Sequence, residues 1–109
     1  MKRYTVLLTE DALLDLEDIA YFVTLHDGSH RAEQVGRQIN KALHGLTSFP
    51  NRGNHPQELL AIENRSYREI HVQSWRIVYR VDASQVIVYI VADGRRDMQA
   101  LLTRRLLNA

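Results

Sequence analysis

Tyrosine, glutamate, histidine and arginine recur at even spacings in three segments of the later part of the chain, a set that can hold a phosphate or a protein partner. They are Tyr67, Glu69 and His71, then Arg76 and Arg80, then Tyr89. Metal-independent RNA cleavage needs a base for the 2′-hydroxyl, an acid for the leaving oxygen and cations around the phosphate. His71 or Glu69 fits the base, Arg76 and Arg80 fit the cations, and Tyr67 or Tyr89 fits an acid role. Without chemistry, the same aromatic and arginine side chains make a surface of the kind that partners bind. Either use requires strands that bring these residues to one face.

The spacing predicts three consecutive strands, roughly 67–73, 75–82 and 85–92. Two-residue turns at Gln73-Ser74 and Ala83-Ser84 set the register. Val72 then faces Trp75, Ile70 faces Ile77, and Arg68 faces Tyr79; beyond the second turn Val81 faces Val86, Tyr79 faces Val88, and Ile77 faces Ile90. One face gathers Ile70, Val72, Trp75, Ile77, Tyr79, Val81, Val86, Val88 and Ile90. The other combines Val78, Ile87, Tyr89 and Val91 with Tyr67, Glu69, His71, Arg76 and Arg80. An apolar centre rimmed by arginine and aromatic residues suits a partner. A C-terminal helix folding back over that face is the competing expectation, and the two uses are compatible.

The remaining elements must position this sheet. Tyr4 to Leu8 predicts a strand, and Thr9 caps a helix carrying Ala12, Leu16, Ile19, Ala20 and Val23 at helical spacing. Asp15 and Asp18 read as solvated charge. The helix ends at His26-Asp27-Gly28, and Ser29 is placed to cap a second one, striped by Ala32, Val35, Ile39, Leu43 and Leu46 and stopped by Phe49-Pro50. Together they make an antiparallel helical hairpin. Residues 51–57 read as a loop, and 58–63 fit a short strand or a helical turn equally well. Asp97 caps a final short helix through Met98, Leu101, Leu102 and Leu106. The fold class is α+β: an N-terminal strand, a helical hairpin, a mainly antiparallel sheet of three to five strands and a short C-terminal helix, in one domain over 1–109.

Composition narrows the function classes. The chain of 109 residues has no cysteine, which excludes disulfides and thiolate zinc sites. His26 and His30 flank an apparent turn, so no metal site is expected. No phosphate-binding glycine loop of the kind nucleotide enzymes carry is present, and no cofactor is expected. The N-terminus lacks the long apolar region of a signal peptide, which leads us to expect a cytoplasmic protein without membrane contact. The net charge of +1 hides an asymmetry: residues 1–64 hold 6 basic and 9 acidic side chains, and residues 65–109 hold 8 and 4. All eight of those later basic residues are arginine, whose planar fork suits carboxylate and phosphate groups.

Three segments in order carry a family likeness: Tyr67-Arg68-Glu69-Ile70, Arg76-Ile77-Val78-Tyr79-Arg80-Val81-Asp82, and Asp93-Gly94-Arg95-Arg96-Asp97. Ala12, Asp15, Leu16 and Ile19 upstream, Leu46, Pro50 and Gly53 in the middle, and Arg104-Arg105-Leu106-Leu107 at the end complete the series. The chain resembles the RelE/ParE toxins of type II toxin–antitoxin systems, and within them the ParE-like plasmid stabilisation toxins. That resemblance implies a cognate antitoxin, ParD-like or other, as partner and DNA gyrase as target. The RelE branch implies instead a ribosome-associated mRNA interferase, with His71, Arg76, Arg80 and Tyr89 as its catalytic candidates. RelE-like nucleases usually keep a catalytic tyrosine in the C-terminal segment, and no tyrosine or histidine follows Tyr89 here. The expected partner-binding residues are therefore Tyr67, Arg76, Val78, Arg80, Ile87, Tyr89, Arg95 and Arg96, with no catalytic residue. Self-association and a toxin–antitoxin hetero-oligomer both stay open.

Overall fold

Alternating apolar residues and tight turns build a four-stranded sheet in the computed structural model, which describes residues 2–107. The strands are β1 (Thr5–Leu8), β2 (Arg68–Val72), β3 (Trp75–Asp82) and β4 (Gln85–Asp93), in the order β1-β4-β3-β2. β1 runs parallel to β4, and the other neighbours are antiparallel. The first hairpin has the expected register throughout, with Ile70 opposite Ile77 and His71 opposite Arg76. Gln73 and Ala83 open the two turns with φ of 54° each, a left-handed conformation that closes the strands within two residues.

The second hairpin departs from expectation halfway along. Tyr79 pairs with Val88 and Val78 with Ile90, so Tyr89 is an extra residue, a β-bulge. Ile77 consequently lies opposite Val91 rather than Ile90. One inserted residue exchanges the faces of everything beyond it: Val91 joins the hairpin-side core and Ile90 the opposite one. The aliphatic run from Ile90 to Ala92 tolerates either assignment, which is why its composition did not reveal the bulge.

Two helices cover the first face: α1 (Glu10–Asp27) and α2 (Ser29–Gly45). Thr9 caps α1 by accepting from the Ala12 N–H. Gly28, at φ 91°, turns the chain between the helices, and Ser29 begins α2 without capping it, contrary to expectation. Ala12, Ile19, Val23, Val35, Ile39 and Leu43 meet Ile70, Ile77, Tyr79, Val86, Val88 and Val91 in the main core. Tyr79 is fully buried; its hydroxyl donates to the Pro50 carbonyl at 2.7 Å and accepts from the Gly53 N–H at 3.1 Å. A Cβ on Gly53 would stand 2.7 Å from that hydroxyl and 2.5 Å from the Glu69 carbonyl oxygen, so the close approach requires glycine.

Short elements cover the second face. Residues 57–60 form one helical turn, α3 (Gln57–Leu60), which resolves the ambiguous stretch as helix. Asp97 caps α4 (Met98–Leu102), as expected, by accepting from the Ala100 N–H, and a π-helical turn (Thr103–Leu107) follows. Leu59, Met98, Leu101 and Leu102 bury Tyr67, Val78, Ile90 and Ala92 in a second, smaller core. Asn108 and Ala109, the end of the arginine- and leucine-rich tail, lie outside the described residues. No described helix is long and apolar enough to cross a membrane.

Candidate functional site

The residues singled out from sequence fall into three places. Tyr67 and Val78 lie beneath the second-face helices, buried. Arg76 is enclosed with them: its Nε donates to Glu69 at 2.7 Å, and its two terminal nitrogens donate to Glu58 at 2.9 and 2.8 Å. Its side chain is only 13% exposed. Glu69 sits diagonally across the strand pair from Arg76, and α3 supplies Glu58. These carboxylates hold the guanidinium protonated far above neutral pH, and its hydrogen bonds hold the Glu58 carboxyl below its ordinary value. One arginine between two carboxylates leaves the cluster with net charge −1. His71 stands at its edge, 3.4 Å from Glu69 and open to solvent.

Arg80, Ile87 and Tyr89 form the second place, half-buried beyond α4. The Arg80 guanidinium lies 5.8 Å from the centre of the Tyr89 ring, which packs edge-on against Tyr67. Arg76 and Arg80 are four residues apart on one strand, about 13 Å, and buried Val78 lies between them. His71, Arg76, Arg80 and Tyr89 therefore do not gather around one point.

Arg95 and Arg96 mark the third place, a groove between α1 and the last residues of β4. Ile19, Phe22, Trp75 and Val91 line it with Asp15, Asp18, Asp93 and the two arginines, and its volume is about 370 Å³. Phe22 is half exposed at its mouth. Arg95 bonds to Asp93 through its backbone and side chain, which lowers the Asp93 carboxyl below its ordinary value. Sequence reading missed Phe22 and Trp75 here. The available signal was Phe22 itself, an aromatic residue off the core stripe of α1.

An ion pair closes one end of the groove. Asp15, expected to be solvated, is 7% exposed. It accepts from the Val91 N–H at 3.0 Å and from Arg105 at 2.6 and 3.1 Å, while Arg105 also donates to the Tyr89 carbonyl at 3.2 Å. β1 ends at Leu8, opposite Val88, so the next stretch of β4 has no strand on that side. Asp15 and Arg105 satisfy its backbone instead, at the bulge. Asp15 sits between Ala12 and Ile19 on the buried stripe of α1, and a carboxylate at such a position requires a partner. Among the described residues no group of His, Cys, Asp and Glu is arranged to hold a metal ion.

Comparison with known proteins identifies the family and the fold. Residues 6–99 match the family model described as the ParE toxin of the type II toxin–antitoxin system parDE. The chain is similar to Toxin ParE3 of Caulobacter vibrioides, 25% identical over 100 residues, covering 92% of this chain and 96% of that protein. Its fold matches a chain of the chromosomal ParDE toxin–antitoxin system from P. aeruginosa with a TM-score of 0.70 and 17% identity, over 84% of this chain and 96% of that one. It also matches a chain of the RelBE2 toxin–antitoxin complex from Mycobacterium tuberculosis, with a TM-score of 0.59 and 22% identity, over 85% and 93%. A family model spanning most of the chain, a relative matched nearly end to end and the shared α+β topology agree: this chain belongs to the ParE toxin family of type II toxin–antitoxin systems.

Proposed function

We propose that this toxin acts in the cytoplasm by binding its target rather than by cutting RNA, and that DNA gyrase, implied by the ParE likeness, is that target. The observation that carries the reading is the failure of the nuclease candidates to converge. Arg76 is neutralised by Glu58 and Glu69, and an incoming phosphate would meet a net negative cluster. Arg80 and Tyr89 lie on the other side of buried Val78. Transition-state stabilisation by cations requires them aimed at one phosphate without competing carboxylates. One contact favours the alternative, an mRNA interferase of the RelE kind: solvent-open His71 beside Glu69.

A cognate antitoxin completes the reading, supported by family membership and by fold matches to chains of a toxin–antitoxin system and of a toxin–antitoxin complex. Its amphipathic segment seats in the groove between α1 and β4. Apolar side chains of that segment meet Phe22 and Trp75, and acidic ones meet Arg95 and Arg96. On the sheet face that the sequence offered for this role, α3 and α4 cover Tyr67 and Val78, while Arg80, Ile87 and Tyr89 stay half-buried.

Two assays on one preparation test the proposal. The full chain, added to gyrase, ATP and supercoiled DNA, is expected to accumulate cleaved DNA complexes and to leave messenger RNA intact in a translation extract. Cleaved messenger RNA with unaffected gyrase would overturn it.

A further inference from the structure

The outer surface of the helical hairpin is unlike the rest of the exposed protein. Leu13, Leu14, Tyr21 and Leu25 on α1 are 50, 49, 68 and 64% exposed. Leu14, Tyr21 and Leu25 recur after seven and four residues, which places them on one line along the solvent side. Glu10 and Glu17 flank that line on one side, and Asp11 and Asp18 on the other. The neighbouring helix has the opposite character. Outward positions of α2 hold Arg37 and Lys41 with His30 and His44, against a single acidic residue, Glu33. Between the helices runs a shallow crevice of about 120 Å³, lined by Leu16, Ala20, Ala32, Gly36 and Ile39, where small residues leave space for a side chain from outside.

We propose that this surface binds a second copy of the chain, hairpin against hairpin, with α1 of each copy crossing α2 of the other. A two-fold axis makes each such contact twice. Placing α1 on its own copy would face Glu10, Asp11, Glu17 and Asp18 with the same four acids. Placing it on α2 faces them with Arg37 and Lys41, whose aliphatic stems cover the leucines and Tyr21 while their charged ends meet the carboxylates. The crevice then receives one apolar side chain of the facing α1. Phe22 points away, into the groove assigned to the antitoxin, and Asp18 borders both surfaces. The inference does not depend on the toxin's target or mode of action.

Sedimentation equilibrium of the full chain, from micromolar to near-millimolar concentration, tests it. A reversible dimer is expected, weakened by added salt. Tyr21→Glu should raise its dissociation constant by roughly 30-fold, the factor a central interface residue carries. Reversing Arg37 and Lys41 to Glu should dissociate it, as should reversing Glu17 and Asp18 to Lys. All four reversals in one chain should restore it. All positions are exposed, and circular dichroism with thermal melting confirms that each variant keeps the fold. A monomer at every concentration overturns the proposal. So does a dimer indifferent to the Arg37 and Lys41 reversal, or one that the fourfold variant fails to restore.

Discussion

The two faces of the sheet are covered by different means. On one side, helices of 18 and 17 residues bury a long apolar stripe, interrupted by Asp15 where α1 borders the groove. On the other side, α3 and α4 span four and five residues. Each of those short covers is pinned by a salt bridge: Glu58 of α3 to Arg76, and Arg105 after α4 to Asp15. A long amphipathic helix docks through area alone, whereas one turn of helix gains too little from burial to stay put. Arg76, which the sequence offers as part of a binding rim, serves here as an anchor.

The largest effect is expected from breaking an anchor. Asp15→Ala leaves Arg105 and the Val91 N–H without their acceptor, and urea unfolding should show a loss of about 3–5 kcal/mol. Replacing Arg105 by Met in the same chain should restore part of it. Less than 1 kcal/mol for the single change would mean that the pair is not a buried one. Next come paired cavities, Ile39→Ala under the hairpin and Leu101→Ala under α4, each costing about 2–5 kcal/mol. Their distribution should differ: hydrogen exchange of Leu101→Ala should quicken mainly in residues 98–107, and that of Ile39→Ala throughout. Uniform quickening in both would erase the distinction between the faces.

Smaller effects sharpen it. Tyr79→Phe removes the partner of two buried backbone groups, at a cost of about 1–3 kcal/mol. The Glu58 anchor should show in acid. Its carboxyl lies below the ordinary value of 4.5, so its contribution is complete above that value and is lost as pH falls towards the lowered one. Glu58→Gln should therefore flatten the acid limb of a stability profile below about pH 4.5, and an unchanged limb would show that Arg76 does not hold α3.

How much of this was legible follows from how local each signal is. The hairpins were, because alternation and two-residue turns determine register within a few positions, and Thr9 and Asp97 announced their helices. The bulge at Tyr89 was not, since one inserted residue among aliphatic neighbours leaves no compositional mark. Arg76 was half legible: its diagonal neighbour Glu69 follows from the register, but Glu58 arrives on a helical turn too short for periodicity to reveal. The Asp15–Arg105 pair joins residues ninety positions apart, and only the core spacing around Asp15 hinted that it was buried. The groove emerged from the packing of α1 beside a β4 edge that β1 stops short of covering, a relation no sequence window contains.

Calorimetry with the cognate antitoxin tests most directly where that partner sits. Phe22→Ala, in the groove, should weaken binding about tenfold or more, and Arg80→Ala, beyond α4, should leave it nearly unchanged. Strong loss with Arg80→Ala and none with Phe22→Ala would return the docking surface to the far face of the sheet.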